Sequence, residues 1–282
     1  MKIVISIFLV FALVLSLGFG VDESAMAIQD EAFDRAMITF GLAKGLNAVI
    51  SLMQGTELSF TPVGVGLNFS VGEVLDPFND MVERFSWVML LASVSLGVQK
   101  LLLLLSAKLF LQVALGLSVL VTLLFLWIKQ IQNSLFLSYS LKILTLLLLL
   151  RFSAIIFVYA SQFFYTSTLQ HDYFEATSVV EKTKAKLEDA HSQNSSIAKT
   201  EKKEGFFSSM SEQYSNMSQS LNISKQLNSL ETSIEEASRN IITLITIFIV
   251  QSVILPLLFL WLFIASVKAI FRNEFKFVKN IK

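Results

Sequence analysis

Two basic residues lie inside long apolar stretches of the sequence and are its best candidates for functional residues. Arg151 falls within the apolar run 143–165, and Lys100 falls within the run 86–106. A basic residue at the centre of a bilayer costs about 2.5–3.5 kcal/mol even on a lenient insertion scale, so it often serves transport or binds a counter-ion. We take both as candidate intramembrane or path-lining residues. The structural alternatives are that Arg151 extends to the cytoplasmic headgroups and that Lys100 lies near the outer surface.

The other residue types predict neither an enzyme nor a cofactor site. The chain has no cysteine, which excludes thiol nucleophiles, zinc–cysteine sites and disulfides. Its only histidines are His171 and His191, and no metalloprotease, hydrolase or nucleotide-binding motif is complete. We therefore expect a protein that is not an enzyme, with no catalytic, cofactor-binding or metal-binding residues and no nucleic-acid partner.

Two short patterns resemble ligand sites, but local structure explains them better. Gly64 and Gly66 lack the third glycine and the lysine of phosphate-binding loops, so they indicate a backbone turn. Oxygen-bearing side chains between residues 76 and 83 offer ligands for a cation, yet an aspartate followed by Pro77 is also typical of a helix N-terminus. We expect a helix to begin at this aspartate.

The composition is that of a membrane protein. Hydrophobic residues make up 54% of the chain and charged residues 16%, against about 45–50% and about 25% in soluble domains. The apolar runs alternate with polar segments, one of which has a helical repeat. We expect an all-α membrane protein with helical transmembrane segments, a long antiparallel helical hairpin outside the membrane and a small β-hairpin insert.

Residues 1–27 have two interpretations that the sequence leaves open. An apolar run behind Met1 and Lys2 ends in the small-residue triplet Ala25-Met26-Ala27, which is typical of a signal peptidase site. The same run is long for a signal peptide. The region is therefore a signal peptide or an N-terminal membrane anchor.

Residues 28–85 predict a periplasmic amphipathic helix followed by a small β-hairpin. Apolar residues line one face of a helix over 29–54. We expect this helix to pack against other helices and not on the membrane surface, because its polar face is acidic. Alternating residues over 57–72 predict the β-hairpin.

Residues 86–170 predict a long apolar helix, a short cytoplasmic loop and a second span. Two separate spans would require the chain to reverse between Ser106 and Leu109, which is barely a turn. We therefore expect one long or kinked helix over 78–128, with its first half outside the membrane and covered by the amphipathic helix and other subunits. The second span is expected over 143–165.

Residues 171–240 predict a periplasmic antiparallel coiled-coil hairpin. Its arms repeat apolar residues at steps of three and four, and the midpoint is Gly205, a residue suited to a helix-ending turn. Gly205, Phe206 and Phe207 are the candidate tip. The predicted pairs across the arms are Ala176 with Ile234, Val180 with Leu230, Thr183 with Leu227 and Leu187 with Ile223.

Residues 241–282 predict the last span and a basic cytoplasmic tail, with Pro256 as a candidate hinge. Residues 21–85 hold ten acids and three bases, whereas the tail from Lys268 holds five bases and one acid. Because cytoplasmic segments are enriched in Lys and Arg, we expect a cytoplasmic C-terminus and a periplasmic hairpin. Span counting from the N-terminus gives the same orientation.

These features favour a multi-pass protein of the bacterial inner membrane whose partners are the bilayer, further copies of itself and other envelope proteins. The leading hypothesis is a non-enzymatic scaffold or subunit of a secretion, transfer or assembly complex, which contacts its partners through the hairpin. The alternative is an oligomeric channel or transport subunit with a path lined by Lys100 and Arg151. The two differ in whether these charges face water or an ion-pair partner.

Overall fold

The computed structural model describes residues 2–16, 20–55, 71–128, 135–200 and 212–272. Within these ranges the chain is 98% helical and contains no strand, which confirms the all-α prediction. The β-hairpin predicted over 57–72 lies almost wholly outside the described residues. Its last two residues, Val71 and Gly72, belong to a helix, so the strand does not extend that far.

Eight α-helices and two π-helical segments make up the described chain. The α-helices are α1 (Lys2–Ser16), α2 (Val21–Gly55), α3 (Val71–Ser106), α4 (Leu109–Trp127), α5 (Leu135–Phe164), α6 (Gln170–Thr200), α7 (Glu212–Ile249) and α8 (Leu255–Arg272). The segment π1 (Tyr165–Leu169) joins α5 to α6, and π2 (Val250–Ile254) joins α7 to α8. Helix α3 begins five residues before the aspartate predicted to cap it, because the Asp76 carboxylate instead accepts a hydrogen bond from Gln54 Nε2 at 2.7 Å.

Five stretches of the described residues are long and apolar enough to cross a membrane, and they indicate a multi-pass membrane protein. They are Val21–Gln54, Leu75–Ser106, Leu109–Trp127, Phe136–Ser192 and Ser229–Arg272. The charge pattern predicts an extramembrane location for much of the first two. Phe136–Ser192 has 57 residues, or about 86 Å of helix, so a hydrocarbon core of about 30 Å can hold only part of it.

The chain divides into two compact units whose boundaries fall inside α2 and α3 and at the π segments. Unit 1 contains Met1–Arg35, Ala92–Thr168 and Val250–Lys282, and unit 2 contains Ala36–Leu91 and Leu169–Ile249. Unit 1 holds α1, α4, α5 and α8. Unit 2 holds α6 and α7, together with the second half of α2 and the first half of α3.

In unit 1, α4 continues in the direction of α3. Leu103 of α3 packs with Ile155 of α5, and the Thr122 hydroxyl of α4 lies 2.6 Å from the Ser140 hydroxyl of α5. Residue numbers therefore rise along α3 and α4 while they fall along α5. The break at Lys108, which has extended backbone angles, is thus a kink and not a reversal, as the prediction of a kinked helix required.

Two apolar clusters form the core of unit 1. The α1–α4–α5 cluster contains Leu9, Leu115, Val119 and Leu144. The α2–α3–α5 cluster contains Ala25, Leu103, Ile155, Phe157 and Val158, with Leu255 and Phe259 of α8 packed against it. Each unit 1 helix thus buries a narrow apolar stripe and leaves apolar residues on its outer face, as expected for helices in lipid.

In unit 2, α6 and α7 pack against each other in antiparallel directions. The Tyr173 and Phe248 rings meet edge to face with centroids 6.0 Å apart, and further along the pair Thr183 donates a hydrogen bond to the Ser233 carbonyl. The predicted heptad face of α6 is buried at Ala176, Val180, Thr183 and Leu187. The turn predicted at Gly205 lies outside the described residues.

The register predicted for the two arms is wrong. Thr183 was expected to face Leu227, but its Oγ1 donates to the carbonyl of Ser233 at 3.3 Å, and Lys186 Nζ donates to the Ser233 hydroxyl at 2.8 Å. Together with the contact between Tyr173 and Phe248, these bonds displace the observed register by about six to eleven residues. The prediction treated the arms as an isolated two-stranded coil, whereas α6 also packs against α2, so the arm heptads alone do not fix the pairing.

The second half of α2 packs inside unit 2, as expected for the amphipathic helix. Leu46 and Ile50 are fully buried, and the Thr39 hydroxyl lies 3.2 Å from the Tyr173 hydroxyl of α6. At Gly45 the side chain of Lys184 passes so close that an added Cβ would lie 3.0 Å from its Cε. Glycine at this position leaves room for the end of the Lys184 side chain.

Candidate functional site

The buried polar residues of unit 1 centre on an ion pair between Arg151 and Asp22. Arg151 Nη1 donates to Asp22 Oδ1 at 2.9 Å and Nη2 donates to Oδ2 at 2.5 Å. The arginine side chain is 1% exposed and the aspartate 20%. This is the paired, bidentate geometry in which guanidinium and carboxylate groups interact most strongly. Arg151 is thus paired within the protein.

This ion pair lies between the two apolar clusters of unit 1. Along α5, Arg151 follows Leu144 of the α1–α4–α5 cluster and precedes Ile155 of the α2–α3–α5 cluster. Along α2, Asp22 immediately precedes Ala25 of the same second cluster. The arginine is therefore largely shielded from water, while the aspartate keeps 20% of its side chain exposed, and the lowered local dielectric strengthens their interaction.

The ion pair between Arg151 and Asp22 involves the N-terminal region, residues 1–27. Asp22 and Ala25 both belong to residues 1–27, and Ala25 is fully buried in the α2–α3–α5 cluster. Cleavage after Ala27 would remove the counter-ion of Arg151 and part of the core of unit 1. The triplet Ala25-Met26-Ala27 is helical within α2.

Lys100 also has an acidic partner within unit 1. Its Nζ lies 2.7 Å from Asp30 Oδ1, and the two side chains are 36% and 44% exposed. The same ammonium lies 5.9 Å from the centroid of the Phe33 ring. Ser86 and Ser93 of α3 are buried. Both basic residues singled out from the sequence are thus ion-paired to the first half of α2.

Pro256 lies in the first turn of α8, immediately after π2, and its local structure is compensated by a side chain of α3. A proline inside a helix lacks the N–H that would bond the carbonyl four residues earlier, here that of Ser252. The Ser252 carbonyl accepts a hydrogen bond of 2.6 Å from the Ser95 hydroxyl. Such compensation by a neighbouring helix is what permits proline in a membrane span.

A small polar cavity of about 10 Å³ lies among α2, α3, α5 and π2. Its volume is close to the minimum needed for one water molecule. The polar side chains that line it are Gln29, Arg35, Ser161, Gln162 and Gln251. The Gln29 amide donates to the Leu96 carbonyl at 3.0 Å, and the Arg35 guanidinium lies 3.9 Å from the Tyr165 ring centroid. The polar contacts beside the cavity connect α2 with α3 and with π1.

The structure brings the predicted residues Arg151 and Lys100 to the same helix, α2, but at different points along it. The partners Asp22 and Asp30 were missed, as was the polar cavity. The sequence feature that could have indicated these partners is the unusual position of acidic residues directly after an apolar run. The candidate tip, Gly205 with Phe206 and Phe207, lies outside the described residues.

No group of three or more His, Asp or Glu side chains that could hold a metal occurs among the described residues. His171 is largely exposed and lies 3.8 Å from Glu175. No protein family model matches the chain, and no curated protein or solved structure is detectably similar to it. The helical fold and its five candidate spans indicate an α-helical, multi-pass membrane protein.

Proposed function

We propose that this chain is a non-enzymatic scaffold subunit of a multi-protein complex in the bacterial envelope, of the secretion, transfer or assembly type. In this proposal α5 and α8 cross the inner membrane, and α6 and α7 extend into the periplasm and contact a partner at their far ends. The observation that carries the proposal is the Arg151–Asp22 ion pair. It uses the most buried base of unit 1 to join two helices of the chain.

The charges of unit 1 support a scaffold more than a path for solutes. A base that lines a path must present its charge to water, whereas Arg151 is 1% exposed and bonded to Asp22 through both Nη atoms. Lys100 is likewise paired with Asp30. The scaffold and channel hypotheses differ in whether these charges face an ion-pair partner or water. Both bases face an ion-pair partner, which supports the scaffold.

The surface of α6 supports a role outside the membrane. Many of its exposed side chains are charged, most of them acidic, as is typical of the solvated face of a helix. They include Asp172, Glu175, Glu181, Lys182, Glu188 and Asp189. Contacts with α2 at Thr39 and Gly45 hold α6 at two points along its length. Because α6 is held in this way, the pair of α6 and α7 can present the same far end to a partner.

The test is site-specific photo-crosslinking in living cells. A photoreactive amino acid at Phe206 or Phe207 should give discrete adducts with another envelope protein, identified by mass spectrometry. The matched control carries the same group at Glu181, an exposed residue on the side of α6, and should give few adducts. Equal labelling from all three positions, or none from the tip, would contradict partner binding through the hairpin.

A further inference from the structure

Two oppositely charged side chains of unit 1, Lys108 and Glu23, are exposed and take part in no ion pair with the residues that the structure describes. Lys108 occupies the kink between α3 and α4, and Glu23 lies in the first turn of α2. The other two charges of this region, Asp22 and Arg151, are bonded to each other.

Lys108 lies at the depth of the middle of α5. Five residues before it, Leu103 packs with Ile155, and seven residues after it, Leu115 packs with Leu144. Because α3 and α4 run antiparallel to α5, Lys108 must lie between the levels of these two α5 residues. Arg151 occupies the same interval.

Glu23 lies at the same depth by an independent set of contacts. The residue before it, Asp22, is bonded to Arg151, and two residues after it, Ala25 packs with Ile155. The first turn of α2 is therefore level with residues 151–155 of α5. Glu23 and Lys108 thus lie within roughly two helical turns, or about 11 Å, of one another in depth.

The surface around Lys108 is apolar. The nearest exposed side chains on α3 and α4 are Leu104, Leu105, Leu109 and Phe110, at 40%, 56%, 72% and 78% exposure. At this depth α5 also exposes Ile156, at 59%. A charge within an apolar belt is unfavourable unless it meets an opposite charge. The surface beside Glu23 is different, because its exposed neighbours Ser24 and Ala27 are small and let another helix approach closely.

We propose that a second copy of this chain covers Lys108, and that Lys108 of one copy pairs with Glu23 of the next. Copies that are related by rotation about the membrane normal keep every residue at its own depth, so two charges can pair across the contact only if they are opposite in sign and equal in depth. Lys108 and Glu23 meet both conditions. This association is independent of partner binding at the hairpin tip, so either proposal can fail alone.

The first experiment uses charge reversal. Lys108→Glu or Glu23→Lys alone should weaken self-association in mild detergent by about tenfold, since each places like charges in contact. The double variant should restore association to near that of the original chain. Arg272→Glu is the matched control, because Arg272 is an exposed base that follows Phe271, whose carbonyl is bonded to Lys142, well away from Arg151. It should leave association unchanged.

The second experiment uses the absence of native cysteine. Chains with different tags, one carrying Lys108→Cys and the other Glu23→Cys, are expressed together and oxidised in the membrane. A disulfide-linked product that contains both tags is expected, and none when Arg272→Cys replaces Lys108→Cys. Failure of the double reversal to restore association would overturn the proposal. So would a crosslink that forms only when both cysteines are in one chain, which would show that the charges meet within a protomer.

Discussion

Arg151→Met should destabilise the protein by about 3–5 kcal/mol, because it leaves the Asp22 carboxylate in an apolar core without its partner. Asp22→Leu should lower the free energy of unfolding by as much, since it removes the counter-ion of the Arg151 guanidinium, which is 1% exposed. The double variant Asp22→Leu with Arg151→Met should recover most of the loss, because apolar residues can replace a buried pair at little cost. The measurement is the free energy of unfolding in mixed detergent micelles.

The matched control for this series is Lys100→Met. The side chains of Lys100 and its partner Asp30 are 36% and 44% exposed. The loss in the free energy of unfolding should therefore be about 0–1 kcal/mol. A chain that begins after Ala27 lacks Asp22 and should be destabilised at least as much as Asp22→Leu. If the double variant lost the sum of the two single losses, the residues would act independently and the buried pair would not hold α2 to α5.

Cysteines at Leu187 and Ser233 should form a disulfide readily, whereas cysteines at Leu187 and Ile223 should not. The contacts of Thr183 and Lys186 with Ser233, and of Tyr173 with Phe248, place Leu187 level with residues 229–234 in an antiparallel pair, and Ser233 is buried there. Ile223 lies ten residues away from Ser233, or about 15 Å along the helix. The measurement is the yield of intramolecular disulfide under mild oxidation, read from gel mobility, and the expected difference is nearly all or none.

This pair of variants also separates the two registers directly, since the heptads of the arms alone predict the opposite result. Greater yield from Leu187 with Ile223 would restore the register predicted from the sequence and contradict the contacts of Ser233. Equal yields would show that α6 and α7 slide past each other, and a hairpin without a fixed register could not present a fixed tip.

Local patterns in the sequence predict much of this fold. The apolar repeat predicts that Ala176, Val180 and Leu187 are buried together, as they are, because a helical face depends only on spacing along one helix. The kink near Lys108 follows from chain length, since three residues are too few for a reversal. These inferences need no knowledge of what lies opposite the helix.

What the sequence does not predict depends on partners distant in the chain. Asp22 and Arg151 are separated by 129 positions, and no local pattern pairs them. The hydrogen bond from Ser95 to the carbonyl of Ser252 near Pro256 is of the same kind. The register of α6 against α7 failed for a related reason, because α2 adds contacts at Thr39 and Gly45 that the two arms do not encode.

The central claim is that α6 and α7 lie outside the membrane on one side and that the C-terminus lies on the other. The most direct test is labelling of single cysteines with a membrane-impermeant maleimide, at the exposed Glu181 of α6 and at Lys282. In intact spheroplasts Glu181→Cys should react and Lys282→Cys should react only after the membrane is permeabilised. Reaction of both before permeabilisation, or of Lys282→Cys alone, would contradict the account.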